Sequence, residues 1–355
     1  KITASTSGQG NTGIINLRGT RKIQLVNNSE ISNAVDEKGV GNAREITLHT
    51  PELSLENSNI TSSTSGMGNA GSITVPDATS ITLDNSKIST EIGAGGTANQ
   101  PSNITLQTGE LRLNDSNITA SSQGTGNAGN INLQIENTLR ANNGNISTAA
   151  VRTSGGGINI AAGNVLLENN SNIRTNVAIG TGGGGQITLT ADSILAFNDS
   201  NILAFAQDGA GGNINLNTPI FFGNGFSPGD KNQNPENLNN NNRVDVNAKG
   251  AISGVINLPD LTFIQNSLLE LPETVIDTQN LLANSCVVPN RQKAGTFIMT
   301  GPDGLQVRPS RNLSSPYPTG TIKNLPTASQ PPKINEAQGF YLLSNGRTVL
   351  SRKCF

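Results

Sequence analysis

The chain repeats one alternation of hydrophobic and polar residues about every 28 positions. In each repeat a Gly-rich turn precedes an isoleucine, and a second aliphatic residue follows two positions later, as in Ile131 and Leu133. Alternation with a period of two predicts a half-buried β-strand, so each repeat opens with a strand. The isoleucines that begin these strands are Ile15, Ile46, Ile73, Ile104, Ile131, Ile158, Ile187 and Ile214.

Two further apolar columns follow in each repeat with the same period. The first is a pair of apolar residues, such as Leu111 and Leu113. The second is a column of isoleucines, which we call the core ladder. Three short strands separated by turns predict one triangular coil per repeat. The core ladder consists of Ile31, Ile60, Ile88, Ile118, Ile146, Ile173 and Ile202.

A single coil cannot bury its own apolar stripe. Stacking one coil on the next places isoleucine over isoleucine and gives a continuous core between in-register parallel strands. The pattern therefore predicts an all-β parallel β-solenoid of roughly eight coils, about 40 Å long at the usual spacing between strands.

Asparagine or aspartate recurs three residues before each isoleucine of the core ladder, usually followed by serine. These side chains tolerate a left-handed backbone and bond to their own turn, and stacked asparagines can also bond from coil to coil. We therefore predict a column of turn residues along one corner, which we call the turn ladder. It consists of Asn28, Asn57, Asn85, Asp115, Asn143, Asn170 and Asp199.

The repeats predict three regions along the chain. Residues 1–220 form the solenoid, and residues 221–276 form the final coil or coils and a cap, because a bare terminal strand edge promotes aggregation. Within this second region, the Asn-rich loop 227–242 is expected to be exposed and mobile. Residues 277–355 form a Pro-punctuated tail module with strand-like stretches at 295–300 and 340–350, the latter resembling a hairpin.

Composition narrows the class of protein. Charged residues make up 14% and aromatic residues 3% of the 355 residues, which is unlike a typical helical or α/β enzyme. Such a polar chain could be disordered, but the regular placement of Ile and Leu argues against disorder. The net charge of −2 provides no positive field for nucleic acid. No run of 18 apolar residues is present, so the sequence predicts no ordinary membrane-spanning helix. Because Lys1 falls partway through a repeat, we expect the chain to be a piece of a longer protein.

The two cysteines, Cys286 and Cys354, both lie in the tail. They fit a disulfide in an oxidising compartment, which would close a loop of roughly 70 residues, with free thiols as the alternative.

Candidate catalytic and metal-binding chemistry is sparse. His49 is the sole histidine and follows a predicted strand, so we expect an exposed strand-end residue rather than a member of a triad or a zinc site. The segment 229–234 has alternating oxygen donors but lacks the closing glutamate of a calcium loop. Asp115 and Asp199 share a column three coils apart, about 14 Å, which is too far for paired acid catalysis. We therefore expect no catalytic residue, cofactor or metal.

The repeats and the tail together resemble the filamentous haemagglutinin-like exoproteins of two-partner secretion, in the large form found in cyanobacteria. The repeat motifs that carry the resemblance are at 113–122, 126–133 and 211–216, and the tail motifs are at 253–256, 270–273, 281–286 and 297–305. The resemblance implies a right-handed parallel β-helix that an outer-membrane transporter barrel secretes from a Gram-negative-type bacterium. The family's amino-terminal secretion domain has no counterpart here, and residues after 309 fall outside the pattern.

The resemblance also implies a location and a role. We expect a non-enzymatic secreted or cell-surface protein with a structural or adhesive role, either as a self-assembling subunit of a filament or layer or as an adhesin for a glycan or cell-surface ligand. A disulfide between Cys286 and Cys354 would retain such an exoprotein at the surface, a hypothesis that alkylation of both thiols without prior reduction would refute. The alternative is a β-helix that binds or cleaves polysaccharide.

Overall fold

The computed structural model describes residues 1–226, 238–259, 339–342, 344 and 348–351. The chain divides into two compact units, Lys1–Ser267 and Leu268–Phe355. The described residues of the first unit form a stack of parallel strands without an α-helix, which confirms the prediction of an all-β parallel β-solenoid. None of the described residues belongs to a helix long and apolar enough to cross a membrane.

The strands of the first unit follow one another with short turns between them. The first ten are β1 (Ile2–Thr6), β2 (Ile15–Arg18), β3 (Lys22–Leu25), β4 (Glu30–Val35), β5 (Ile46–His49), β6 (Glu52–Glu56), β7 (Asn59–Thr64), β8 (Ile73–Asp84), β9 (Lys87–Ile92) and β10 (Ile104–Asn114). The next eleven are β11 (Asn117–Ser122), β12 (Ile131–Asn142), β13 (Asn145–Ala150), β14 (Ile158–Glu168), β15 (Asn172–Val177), β16 (Ile187–Ala196), β17 (Ile202–Ala206), β18 (Ile214–Asn217), β19 (Phe221–Gly223), β20 (Val246–Asn247) and β21 (Ile256–Asn257).

Two parallel sheets run along the solenoid. The ladder sheet has nine strands in the order β1-β4-β7-β9-β11-β13-β15-β17-β20. The long sheet has twelve strands, with β2-β5-β8-β10-β12-β14-β16-β18-β21 as its main path and β3, β6 and β19 beside it. Nine strands at about 4.8 Å spacing give a stack about 38 Å long.

The core ladder lies in the ladder sheet in exact coil-to-coil register. Ile60 pairs with Ile31 below and Ile88 above, and the same pairing continues through Ile118, Ile146, Ile173 and Ile202. All seven side chains are at most 2% exposed. They belong to one hydrophobic cluster that runs from Ile15 to Ala248. Burying each such side chain contributes about 1.5–3 kcal/mol, so the continuous core stabilises the stack.

The prediction of three separate strands per coil is confirmed in the first two coils and is wrong for the coils that follow. In these two coils the long sheet is interrupted by short turns, as between β5 and β6. In the next five coils the first two predicted strands merge into one strand of 10 to 12 residues. These merged strands are β8, β10, β12, β14 and β16. Irregular register, with bulges at Thr108 and after Gln134, replaces the missing turns. Because a bulge bends a strand, the chain changes direction here without leaving the sheet.

A column of polar side chains points into the solenoid from the ladder sheet, two residues after the core ladder. These side chains bond to the Gly-rich segments that cross the opposite corner: Asn33 donates to the Arg44 carbonyl at 2.7 Å, and Thr175 donates to the Gly185 carbonyl at 2.8 Å. The bonds satisfy backbone groups that would otherwise be buried without a partner. The column also includes Ser62, Thr90 and Thr148.

The end of the solenoid differs in part from the expected exposed loop. Within the Asn-rich loop, Leu238 is only 1% exposed. The Asp199 carboxylate accepts backbone hydrogen bonds from Asn240 and Asn241, which fixes this part of the loop against the last coil. Residues 227–237 of the loop lie outside the described residues.

The second unit contains one described element. Strands β22 (Gly339–Leu342) and β23 (Thr348–Ser351) pair antiparallel, which confirms the hairpin predicted at 340–350. Cys286, Cys354 and the predicted strand at 295–300 lie outside the described residues, so their pairing and structure stay predictions.

Candidate functional site

The turn ladder lies along the corner between the long sheet and the ladder sheet. Each of its residues has a left-handed backbone, with φ between 44° and 63°. Asparagine and aspartate adopt this conformation more readily than other non-glycine residues, which explains their recurrence. The residues concerned are Asn28, Asn57, Asn85, Asp115, Asn143, Asn170 and Asp199.

Side chains of the turn ladder bond to one another in two pairs of adjacent coils. Asn85 donates to the Asn57 side-chain oxygen at 2.6 Å, and Asn143 donates to the Asp115 carboxylate at 2.7 Å. Serines beside them add buried bonds, as where the Ser58 N–H donates to Ser86 Oγ at 3.1 Å. The turn ladder therefore stabilises the stack of coils.

A lateral groove opens on the long sheet. It has a volume of about 830 Å³ and lies where the bulged strands of the long sheet bend. Its lining comes from five successive coils, at residues 76–79, 107–109, 134–137, 161–163 and 190. Four steps of about 4.8 Å make the groove about 19 Å long, parallel to the stacking direction.

The groove has a floor of small residues and a polar rim. Ala161 and Ala162 are half-buried, and Gly109 packs closely on the coil below, where an added Cβ would lie 2.6 Å from the Thr79 carbonyl oxygen. The exposed rim offers amide, hydroxyl and carboxylate side chains. The exposed polar residues of the rim include Asp77, Gln107, Gln134, Glu136, Asn137 and Thr190.

His49 contacts the rim of this groove. Its Nδ1 lies 3.4 Å from Asp77 Oδ2, one coil above, and its side chain is 27% exposed. The expectation of an exposed strand-end histidine therefore holds only in part, because His49 has a carboxylate neighbour that the sequence did not indicate.

The acidic residues of the turn ladder and of the groove lie on different coils. Asp115 bonds to Asn143, and Asp199 bonds to the Asn-rich loop. In the groove, Thr108 pairs with Ala78 of the coil below and with Ile135 of the coil above. Asp77 comes one residue before Ala78, and Glu136 comes one residue after Ile135. The two acids are therefore two coils apart and offset along the strands. The two backbones are therefore about 12 Å apart.

The described part of the chain contains no group of three His, Cys, Asp or Glu side chains that could hold a metal ion. The candidate calcium segment 229–234 lies outside that part.

Comparison with known proteins gave no match: no family model, curated protein or solved structure is significantly similar to the chain. The β-solenoid fold itself is therefore the main guide to function.

Proposed function

We propose that this protein is a non-enzymatic β-solenoid exoprotein that forms or decorates an extracellular structure and provides a stiff adhesive surface. The observation that carries the proposal is the unbroken stack of in-register coils with a continuous core. Such a stack is extended and rigid because each coil contacts its neighbours over two sheets. A rigid rod suits display away from a cell surface.

The use of the polar side chains supports a non-enzymatic role. In two coil pairs of the turn ladder they bond to the equivalent residue of the adjacent coil. In the groove the two acids belong to coils that are not adjacent. A polysaccharide-cleaving enzyme is the alternative.

The extracellular location and the transporter barrel follow from the resemblance of the repeats and tail to two-partner secretion exoproteins. The proposal therefore includes secretion across an outer membrane, with a ligand on another cell or in the surrounding matrix. It includes self-assembly as the way in which a structural subunit would build a filament or layer.

Electron microscopy of the native cells and of the purified chain tests the proposal. Gold-labelled antibodies against residues 1–226 are expected to mark the cell surface or released material on intact cells. Purified protein is expected to form stiff rods, either dispersed, as for an adhesin, or in ordered filaments or sheets, as for a structural subunit. Label found only after the cells are opened would contradict the proposal.

A further inference from the structure

We infer that the lateral groove binds an extended neutral polysaccharide. This inference rests on the proposed function, since it names the ligand class of an adhesive rod. The groove crosses five coils and runs for about 19 Å along the stack, so its shape matches a linear chain better than a compact small molecule.

The charge of the groove selects against acidic polymers. Its lining contains two carboxylates, Asp77 and Glu136, and no lysine or arginine. Carboxylates repel the phosphates of nucleic acids and the carboxylates or sulfates of acidic glycans, which are normally bound by basic residues. The groove therefore suits an uncharged polymer better than an acidic one.

The polar groups of the rim suit hydroxyl groups. Gln107, Gln134 and Asn137 each provide donors and an acceptor, while Glu136 accepts only. A sugar hydroxyl both donates and accepts, so it can pair with every one of these groups. The floor around Ala161 and Ala162 provides small apolar surface for the C–H faces of sugar rings. A few polar groups placed around an apolar floor are typical of ligand sites.

The backbone of the groove argues against an extended peptide as the ligand. Peptides bind to sheets mainly by adding a strand to an open edge. The strands that line the central part of the groove, β10, β12 and β14, each pair with a neighbour on both sides. Neither edge of these strands is therefore open for the addition of a peptide strand.

Affinity electrophoresis of the full chain tests the inference. The gels contain hydroxyethyl cellulose, dextran or xyloglucan as neutral probes and polygalacturonate as the acidic probe. We expect retardation by at least one neutral probe and none by polygalacturonate. The Ala161→Trp variant fills the groove, and we expect its apparent dissociation constant to rise about tenfold or more.

The matched control is Ala149→Trp, which adds the same side chain at a half-buried outward alanine of β13 in the ladder sheet. It is expected to bind as the unmodified chain does. If Ala161→Trp does not fold, as judged by circular dichroism, the double variant Gln107→Ala/Gln134→Ala replaces it, with binding expected to weaken severalfold.

Three outcomes overturn the inference: retardation by no neutral probe, equal retardation of the groove variants and the control, or retardation by polygalacturonate at least as strong as that by the neutral probes. Binding of extended synthetic peptides in place of the neutral probes, measured by fluorescence anisotropy, would also overturn it. If antibodies label rods at the cell surface, any of these results overturns the inference about the groove and leaves the proposed function intact. Absence of surface label instead contradicts the proposed function, whatever the gels show.

Discussion

The Asn143 side-chain amide donates a hydrogen bond to the Asp115 carboxylate one coil below, at 2.7 Å. Both residues have a left-handed backbone, with φ of 49° and 47°. One coil pair elsewhere in the ladder makes the same contact between two asparagines, Asn85 and Asn57, at 2.6 Å. The contact therefore needs one donor and one acceptor, and an aspartate can provide only the acceptor at neutral pH.

Asn143→Asp is expected to destabilise the solenoid. The substitution removes the donor and places two carboxylates in contact, which costs about 1 kcal/mol at this exposed turn. Urea unfolding at pH 7, followed by circular dichroism, measures the change. Asp115→Asn is the control, since it recreates the Asn–Asn contact and is expected to lie within about 0.5 kcal/mol of the unmodified chain. An equal loss of unfolding free energy in both variants would show that the contact does not require a hydrogen-bond donor on one side and an acceptor on the other.

The sequence predicted the stack of coils because the main apolar columns share one period. Isoleucines about 28 residues apart can all be buried only if each coil lies on the next, as Ile88 lies on Ile60. The left-handed turns were predictable for a similar reason, since Asn and Asp recur where the chain enters the ladder sheet.

The polar column inside the ladder sheet was not predicted. Ser62 and Thr90 look like surface residues of a strand by composition, yet they are at most 1% exposed. Their partners are backbone groups of Gly71 and Ser102, which lie 9 and 12 residues farther along the chain. Residue type alone does not reveal that a Gly-rich segment passes close enough to need these bonds.

The spacing of apolar residues in the long strands indicates the bend that forms the groove. Six positions separate Val75 from Ile81, whereas five separate Leu106 from Leu111. An even and an odd separation cannot both keep alternation with a period of two, so one strand must contain a bulge. The parity predicts a bend in the long sheet. It does not predict which side chains line the concave side, because that depends on the direction of the bend.

Glu30 is expected to titrate at lower pH because of its contact with Lys1. The Lys1 ammonium lies 2.9 Å from Glu30 Oε2, and its hydrogen bond lowers the pKa of Glu30 below the ordinary value, against the smaller opposing effect of burial. The contact therefore contributes stability above the ordinary glutamate pKa, and this contribution is lost as the pH falls through the lowered value. NMR titration is expected to give a higher midpoint for Glu30 in Lys1→Gln, and an unchanged midpoint would contradict this assignment. Solvent screens the partly exposed pair, so global stability is expected to change little.

Thr175→Val is expected to destabilise the solenoid although it keeps the shape of the side chain. Thr175 is fully buried and donates to the Gly185 carbonyl at 2.8 Å. The valine leaves that carbonyl without its partner, which costs about 1–3 kcal/mol. Thr175→Ser keeps the hydroxyl and serves as the control. Urea midpoints that rank serine below valine would contradict a hydrogen-bonding role.

Gly185→Ala is expected to be among the most damaging single substitutions in the Gly-rich corner. A Cβ at Gly185 would lie 1.8 Å from the Gly156 carbonyl oxygen of the coil below, so the two coils would have to separate locally. Overpacking of this kind costs about 1–3 kcal/mol or more. Gly183 provides a matched control two residues earlier, because the nearest atom to its added Cβ, the Ala210 carbonyl oxygen, is 3.7 Å away. Gly183→Ala is expected to be neutral or to stabilise by about 0.4–1 kcal/mol, through the lower entropy of the unfolded chain. Urea unfolding of the two variants side by side measures the difference, and similar midpoints would show that close contact between coils does not determine where glycine is required.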